Sequence, residues 1–167
     1  IINSLAASGG YGLLMDKIAD LRDDNTDLDS LVNWIESNKL RVNHWFYSGD
    51  LSYFVKGGRI SKASGFIGGV LNIYPIMHVD SKGKLIPLEK TIGKKRAQKK
   101  ILDKMIEFAD LNLDYNDKVF LNHSDILQDA TTLKEMIEKR FLNLDGQVLI
   151  NSVGTTIGSH TGPGTIA

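Results

Sequence analysis

Residues 73–90 read IYPIMHVDSKGKLIPLEK, two apolar runs separated by Ser81-Lys82-Gly83. The runs are rich in strand-forming residues, and the small tripeptide between them is a hairpin signal in which Gly83 supplies the positive φ of the turn. Pro75 and Pro87 offer no N–H to a ladder, which suits strand ends or an edge position. A hairpin is an antiparallel pair, so the sheet that contains it is not of the all-parallel kind.

Helices and strands flank this hairpin on both sides. Upstream, YGLLMDKIADLR (11–22) places Leu14, Ile18 and Leu21 on one helical face after a flexible AASGG. TDLDSLVNWIES (26–37) predicts a second helix, with Thr26 as N-cap, Asp29 three residues on, and an apolar stripe of Leu28, Leu31, Val32 and Ile35. VNHWFYS (42–48) reads as a strand from its aromatic and β-branched content. Downstream, KKRAQKKILDKMIEFA (94–109) is helical with Ala97, Ile101, Met105 and Phe108 inward. KVFLNH (118–123) and QVLINSV (147–153) are strands around the helix DATTLKEMIEKRF (129–141), which carries Leu133, Ile137 and Phe141 inward. The expected fold is α/β (α+β): a two-layer sandwich with helices packed on a mixed, largely antiparallel sheet.

Composition bounds the function. With 42% hydrophobic and 24% charged residues, the 167-residue chain is neither disordered nor collagen-like. A net charge of zero gives no global field for nucleic acid or anionic lipid, and the lack of cysteine excludes disulfides, thiolate metal sites and a cysteine nucleophile. No apolar run approaches the ~18 residues of a membrane helix, and no charged-then-apolar leader opens the chain, so the expected location is cytoplasmic. The start at Ile1 and the stop at Ala167 suggest a piece of a longer protein.

Standard catalytic devices do not emerge. Neither Gly83-Lys84-Leu85 nor Gly93-Lys94-Lys95 completes a phosphate loop, and no G-x-G-x-x-G opens a helix after a strand. His44, His78, His123 and His160 are scattered without metal-ligand spacing, so no metal is expected, and there is no nucleophile elbow. Asp20, Asp23, Asp24, Asp27 and Asp29 gather at a helix start, where solvation and the helix dipole account for them. The basic face Lys94–Lys104 reads as a solvated surface or as a grip for phosphate, and it lacks the interleaved aromatics that single-stranded nucleic acid requires.

The segment KGGRISKASGFIGG (56–69) is more informative, with five glycines and an arginine in fourteen positions. From Ile60 to Leu71 the apolar residues fall on several helical faces: Ile60, Ala63, Ile67 and Leu71 on one, Phe66 and Val70 on another. A helix of that pattern is buried. Gly65, Gly68 and Gly69 thin it inside a core that is otherwise close-packed. Either a neighbouring element packs very near, or a slot is left for something arriving from outside.

The stretch LSYFVKGGRISKASGFIGGVLNIYPIMHVDSKGKLIPLEK (51–90) resembles the signature region of the DegV family of fatty-acid-binding proteins. INSLAASGGYGLL (2–14) is similar to the family's lead into its carboxy-terminal domain, and GTTIGSHTGPGTIA (154–167) to its closing motif. The resemblance implies that residues 1–22 are a connecting helix region from an amino-terminal α/β domain and that 23–167 form the carboxy-terminal lipid-binding domain. It implies a carrier, not an enzyme. A long-chain fatty acid lies in an apolar tunnel and is presented to a fatty acid kinase, for phospholipid synthesis by way of acyl phosphate. No cofactor, metal or nucleic acid is implied, and transient membrane contact is.

By motif position, the resemblance assigns Arg59, His160, Thr161 and Gly162 to the head group and Ile60, Phe66, Ile67 and Leu71 to the tail. Lys94, Lys95 and Arg96 fall where the family often has a basic cluster, facing the kinase or the acyl phosphate. A guanidinium offers fixed donors that match a carboxylate, and an imidazole can donate to carboxylate or phosphate. Two positions depart from the family pattern: Asn3 stands where an aspartate is common, and Ile92 where an arginine often precedes the glycine.

Burying some fifteen methylenes at about 0.8 kcal/mol each contributes on the order of 12 kcal/mol, so the tail supplies most of the affinity and the head group sets orientation. Two rival readings are an interaction domain whose glycines merely allow tight packing, and part of an enzyme on phosphorylated small molecules, since the family's layout is similar to a dihydroxyacetone-kinase domain. Mass spectrometry of lipid extracted from the full-length protein separates the first from a carrier, and turnover of nucleotide without a separate kinase tests the second.

Overall fold

The computed structural model describes residues 1–61, 72–144 and 146–167. Along the chain run α1 (Ser8–Asp23), α2 (Leu28–Asn38), β1 (Trp45–Ser48), α3 (Ser52–Lys56), β2 (Ile73–Val79), β3 (Leu85–Ile92), α4 (Lys94–Phe108), β4 (Val119–His123), α5 (Leu127–Arg140), β5 (Val148–Ser152), α6 (Thr155–Thr161) and β6 (Thr165–Ile166). The strands form one sheet in the order β3-β2-β1-β6-β4-β5. Every neighbouring pair is antiparallel except β4 and β5, which are parallel and joined through α5. The expected helices on a mixed, largely antiparallel sheet are therefore the observed fold.

The β2–β3 hairpin forms as its sequence demands. Gly83 has φ 73°, and Asp80 Oδ1 accepts the amides of Lys82 and Lys84, both at 2.9 Å. These backbone donors, Lys84 first, hold the Asp80 carboxyl below the usual carboxylate range. Pro87 sits in the edge strand β3, and Pro75 lies beyond the three residues of β2 that pair with β1, next to a register shift at Ile76/Met77.

Neighbouring residues of a strand point to opposite faces, and the core divides accordingly. On one face, Tyr47, Ile76, Leu121, Val148 and Ile166 pack with Ala97 and Ile101 of α4 and Ala130, Leu133 and Ile137 of α5. On the other, Phe46 and Met77 pack with Leu51, Phe54 and Ile60 from α3 and its flanks.

Several boundaries differ from the sequence reading. The second helix is capped by Asp27, not Thr26: the Asp27 carboxylate accepts the Ser30 amide at 3.0 Å and the Ser30 hydroxyl at 2.6 Å, two bonds that a threonine hydroxyl cannot match. Helix α1 begins at Ser8, so part of the AASGG stretch is helical and packed rather than flexible. A Cβ on Gly9 would lie 1.8 Å from Asn122 Nδ2, and one on Gly10 would lie 2.0 Å from His44 Cε1. Glycine here lets α1 rest directly on the sheet, and Lys118 completes the docking with Asp16 at 2.6 Å. Phe141, read as helical, is instead the buried C-cap residue of α5. The buried-helix reading of the glycine-rich stretch falls, beyond Ser61, outside the described residues; Ile60 is buried but is not part of a helix.

Candidate functional site

Two short helices interlock at one place on the sheet. Helix α3 leads into Gly57-Gly58-Arg59, and α6 ends in His160-Thr161-Gly162. A Cβ on Gly57 would lie 2.3 Å from His160 Nδ1, and one on Gly162 would lie 2.3 Å from Tyr53 Cδ2. Each segment thus has a glycine where the other brings a ring. Gly162 also holds φ 66°, a conformation open to few side chains. Two motifs about a hundred positions apart in sequence meet through these contacts.

Arg59, His160 and Thr161 all line one cavity of about 710 Å³. That volume lies within the roughly 300–1,000 Å³ typical of small-molecule sites. Its walls are mostly apolar and include Phe46 and Phe54 from the α3 side of the sheet and Met105 and Phe108 from the α4 side. His160 Nδ1 is buried against Gly57 with no hydrogen-bond partner among the described residues, an arrangement that costs free energy. Arg59 is exposed, and its Nη1 donates to the Gly57 carbonyl at 2.6 Å, which curls the guanidinium back over the glycine turn. Thr161 gives its carbonyl to the Thr165 hydroxyl at 3.2 Å, tying α6 to β6.

The other residues singled out from sequence fall elsewhere. Gly162 packs on Tyr53 and does not line the cavity. Ile60 is buried with Phe46, Phe54 and Met77 and is likewise not part of the lining. Phe66, Ile67 and Leu71 lie outside the described residues. Lys94, Lys95 and Arg96 form the first turn of α4, far along the chain from the interlocked turns. Lys94 Nζ meets Asp129 Oδ2 at 2.7 Å, and this bond raises the Lys94 ammonium above its ordinary value; Lys95 and Arg96 are exposed.

Sequence reasoning missed His44, which lines the cavity beside Gly10 and whose pKa burial pushes down. It also missed Asn122 and Thr165, buried polar residues in the same lining. The signal for Asn122 was a polar residue inside an apolar strand, visible in KVFLNH but ambiguous without the facing helix; Thr165 had none, since β6 is two residues long. Among the described residues no group of acids and histidines could hold a metal ion, and no helix is long and apolar enough to cross a membrane.

A mixed sheet with an apolar cavity that also meets a guanidinium, an imidazole and a threonine has the form of a binding domain. The family model described as "Uncharacterised protein, DegV family" matches residues 1–167, and the chain belongs to that family. It is 36% identical over its full length to a DegV domain-containing protein of Clostridium perfringens, of which it covers 56%. Among solved structures, the fatty-acid-binding DegV family protein of Streptococcus agalactiae matches with a TM-score of 0.82 at 28% identity, covering 99% of this chain and 57% of that one. The Fatty Acid Kinase (Fak) B3 protein of Streptococcus pneumoniae, loaded with linoleic acid, matches with a TM-score of 0.87 at 23% identity, covering 99% of this chain and 57% of that one. At that identity the likeness establishes the fold. The chain spans little more than half the length of the relatives it matches.

Proposed function

We propose that the protein binds a long-chain fatty acid and presents its carboxylate to a fatty acid kinase, as a carrier that leaves the phosphoryl chemistry to its partner. In this reading Arg59 and His160 hold the carboxylate, with Thr161 and the backbone near Gly162 in support. By motif position Phe66, Ile67 and Leu71 are assigned to the tail, Ile60 backs the cavity through Phe46 and Phe54, and Lys94, Lys95 and Arg96 are assigned to the kinase or the acyl phosphate. Residues 23–167 are the lipid-binding domain and residues 1–22 connect it to an amino-terminal domain, in a cytoplasmic protein.

The observation that carries this reading is the interlock of α3 with α6, which brings a guanidinium and an imidazole with an unsatisfied nitrogen to one mostly apolar cavity. An acid with a long aliphatic tail matches both halves of that chemistry. The Streptococcus agalactiae neighbour is described as fatty-acid-binding and the Streptococcus pneumoniae neighbour as a fatty acid kinase B protein, which supports the ligand class and the partner. Replacing Arg59 tests the assignment. In the delipidated full-length protein, where the bound acid has to desolvate the exposed guanidinium for the pair to count in full, Arg59→Ala is expected to weaken palmitic acid binding by roughly 2–5 kcal/mol, the range for truncating one partner of a desolvated charge pair. An unchanged titration curve contradicts the role given to Arg59.

A further inference from the structure

The two edges of the sheet are kept from other chains by different means. At one edge lies β3, which carries Pro87, Glu89 and Lys90, and a register shift at Ile76/Met77 interrupts its ladder with β2. Proline, charge and irregular pairing all discourage a strand edge from adding another strand. At the other edge lies β5, whose sequence VLINS has neither proline nor charge. Among the described residues no strand lies beyond it.

The register shows which backbone groups β5 offers outward. Val119 lies opposite Val148 in the parallel β4–β5 pair; it donates to the Gln147 carbonyl at 2.9 Å, and Val153 donates to the His123 carbonyl at 2.8 Å. Alternate residues of a parallel strand bond the same neighbour, so the residues from Gln147 to Val153 at odd numbers turn their amides and carbonyls toward β4. Val148, Ile150 and Ser152 turn theirs away. One of these outward groups is occupied: Lys134 of α5 donates through Nζ to the Val148 carbonyl at 2.9 Å. Glu138, one helical turn on, holds the same ammonium at 3.4 Å, and the Lys134 side chain is half-buried.

The outward groups form a self-complementary set. Two copies of β5 laid antiparallel about a two-fold axis at Ile150 pair Ile150 with its counterpart and Val148 with Ser152 of the second copy, each outward residue exchanging both its backbone bonds. Exposed Leu149 then lies opposite Asn151, and no like charges meet along the strand. We propose that Lys134 guards this edge: its ammonium holds the carbonyl that a second copy of this chain needs, and without it β5 pairs with β5 of that copy. The incoming strand would run roughly 4.8 Å away, in the space the ammonium fills, and its Ser152 amide would have to take the Val148 carbonyl from Lys134. A neutral amide does not offset the loss of a charge-assisted bond. The inference goes beyond the fatty-acid reading and stands whether or not an acid binds.

Sedimentation velocity and hydrogen exchange of the Ile150 amide, both on the full-length protein, test it. The wild type is expected to sediment as a monomer, with Ile150 exchanging within about tenfold of the unfolded-chain rate at every protein concentration. Lys134→Met keeps a good helix former and removes the ammonium; it is expected to self-associate at least about tenfold more tightly, with Ile150 exchange slowing as concentration rises. Adding Ser152→Pro removes an outward donor without touching a bond to β4, and is expected to restore the monomer. Should Lys134→Met not fold, Lys134→Ala carries the same expectation. A Lys134 variant that stays monomeric overturns the proposal, as does a wild type that already pairs through a protected Ile150. Protection of Ile150 in the wild type at every concentration gives the edge to another part of the protein, and a variant dimer that survives Ser152→Pro forms elsewhere; either result overturns it too.

Discussion

The two faces of the sheet are built by different means. Against α4 and α5 the contact is made by large side chains at close packing: Leu133 is 0% exposed and Ile137 2%. Beside the packing of Phe46 and Met77 with Leu51, Phe54 and Ile60, the other face removes side chains: Gly9 and Gly10 where α1 meets the sheet, and Gly57 and Gly162 where α3 and α6 meet each other, each leave room for one particular neighbour. Those neighbours are Asn122, His44, His160 and Tyr53, all carrying polar atoms. The first face is filled with aliphatic volume and supplies stability. The second is fitted around polar rings and amides and keeps space beside them, and that is where a ligand can be recognised.

Substitutions on the two faces should therefore separate stability from binding. The largest effect is expected from Leu133→Ala, which empties volume in the filled face at a cost of about 2–5 kcal/mol. Thermal or urea unfolding measures it, and the acid affinity of the remaining folded protein should not change. A loss of affinity without a loss of stability would break the division. Next comes Gly57→Val. Gly57 has φ −76°, which valine can adopt, so the consequence is the collision with His160 rather than backbone strain. Palmitic acid binding is expected to weaken at least tenfold, about 1.4 kcal/mol, with little change in the unfolding midpoint. Unchanged affinity would remove His160 from the site.

The smallest effect is one of pH. Burial lowers the His44 pKa, so the unfolded chain takes up a proton there more readily than the folded one. His44 therefore costs no stability well above its unfolded value, about 6.5, and costs progressively more as pH falls below it. His44→Gln should flatten that part of the stability profile between pH 7.5 and 5.5, measured as the urea midpoint. Parallel profiles for the two proteins would show that His44 is as well solvated folded as unfolded.

What could be read from sequence follows the same division. The filled face rests on helical periodicity in α4 and α5 and on apolar strands, which are local patterns; Ala97, Ile101, Leu133 and Ile137 are buried as the spacing requires, whereas Phe108, expected inward, is exposed at the end of α4. The hairpin was equally legible, because Gly83 and Asp80 act within a few residues of each other. The fitted face depends on pairs distant in sequence, and no local pattern announces that Gly57 makes room for His160. Helix α6 went unread because its seven residues include a glycine and three threonines, and β6 because two residues form no pattern. The Thr26 cap was misplaced by one position because Thr26 and Asp27 both suit the role, and only the bidentate bond to Ser30 decides between them. The motif resemblance pointed to Arg59 and His160, and the interlocked glycines give a physical reason why those motifs meet.

The histidines offer the most direct test, since His160 and His123 belong to different faces of the sheet. His160 lines the cavity with an unsatisfied Nδ1, whereas His123 is buried and its Nδ1 accepts the Ile126 amide at 3.3 Å. Imidazole nitrogen resonances of the delipidated full-length protein can be followed during a palmitic acid titration. The account predicts that the His160 signals shift and saturate with acid binding while those of His123 hold still. A saturated complex in which His160 has not moved would contradict it.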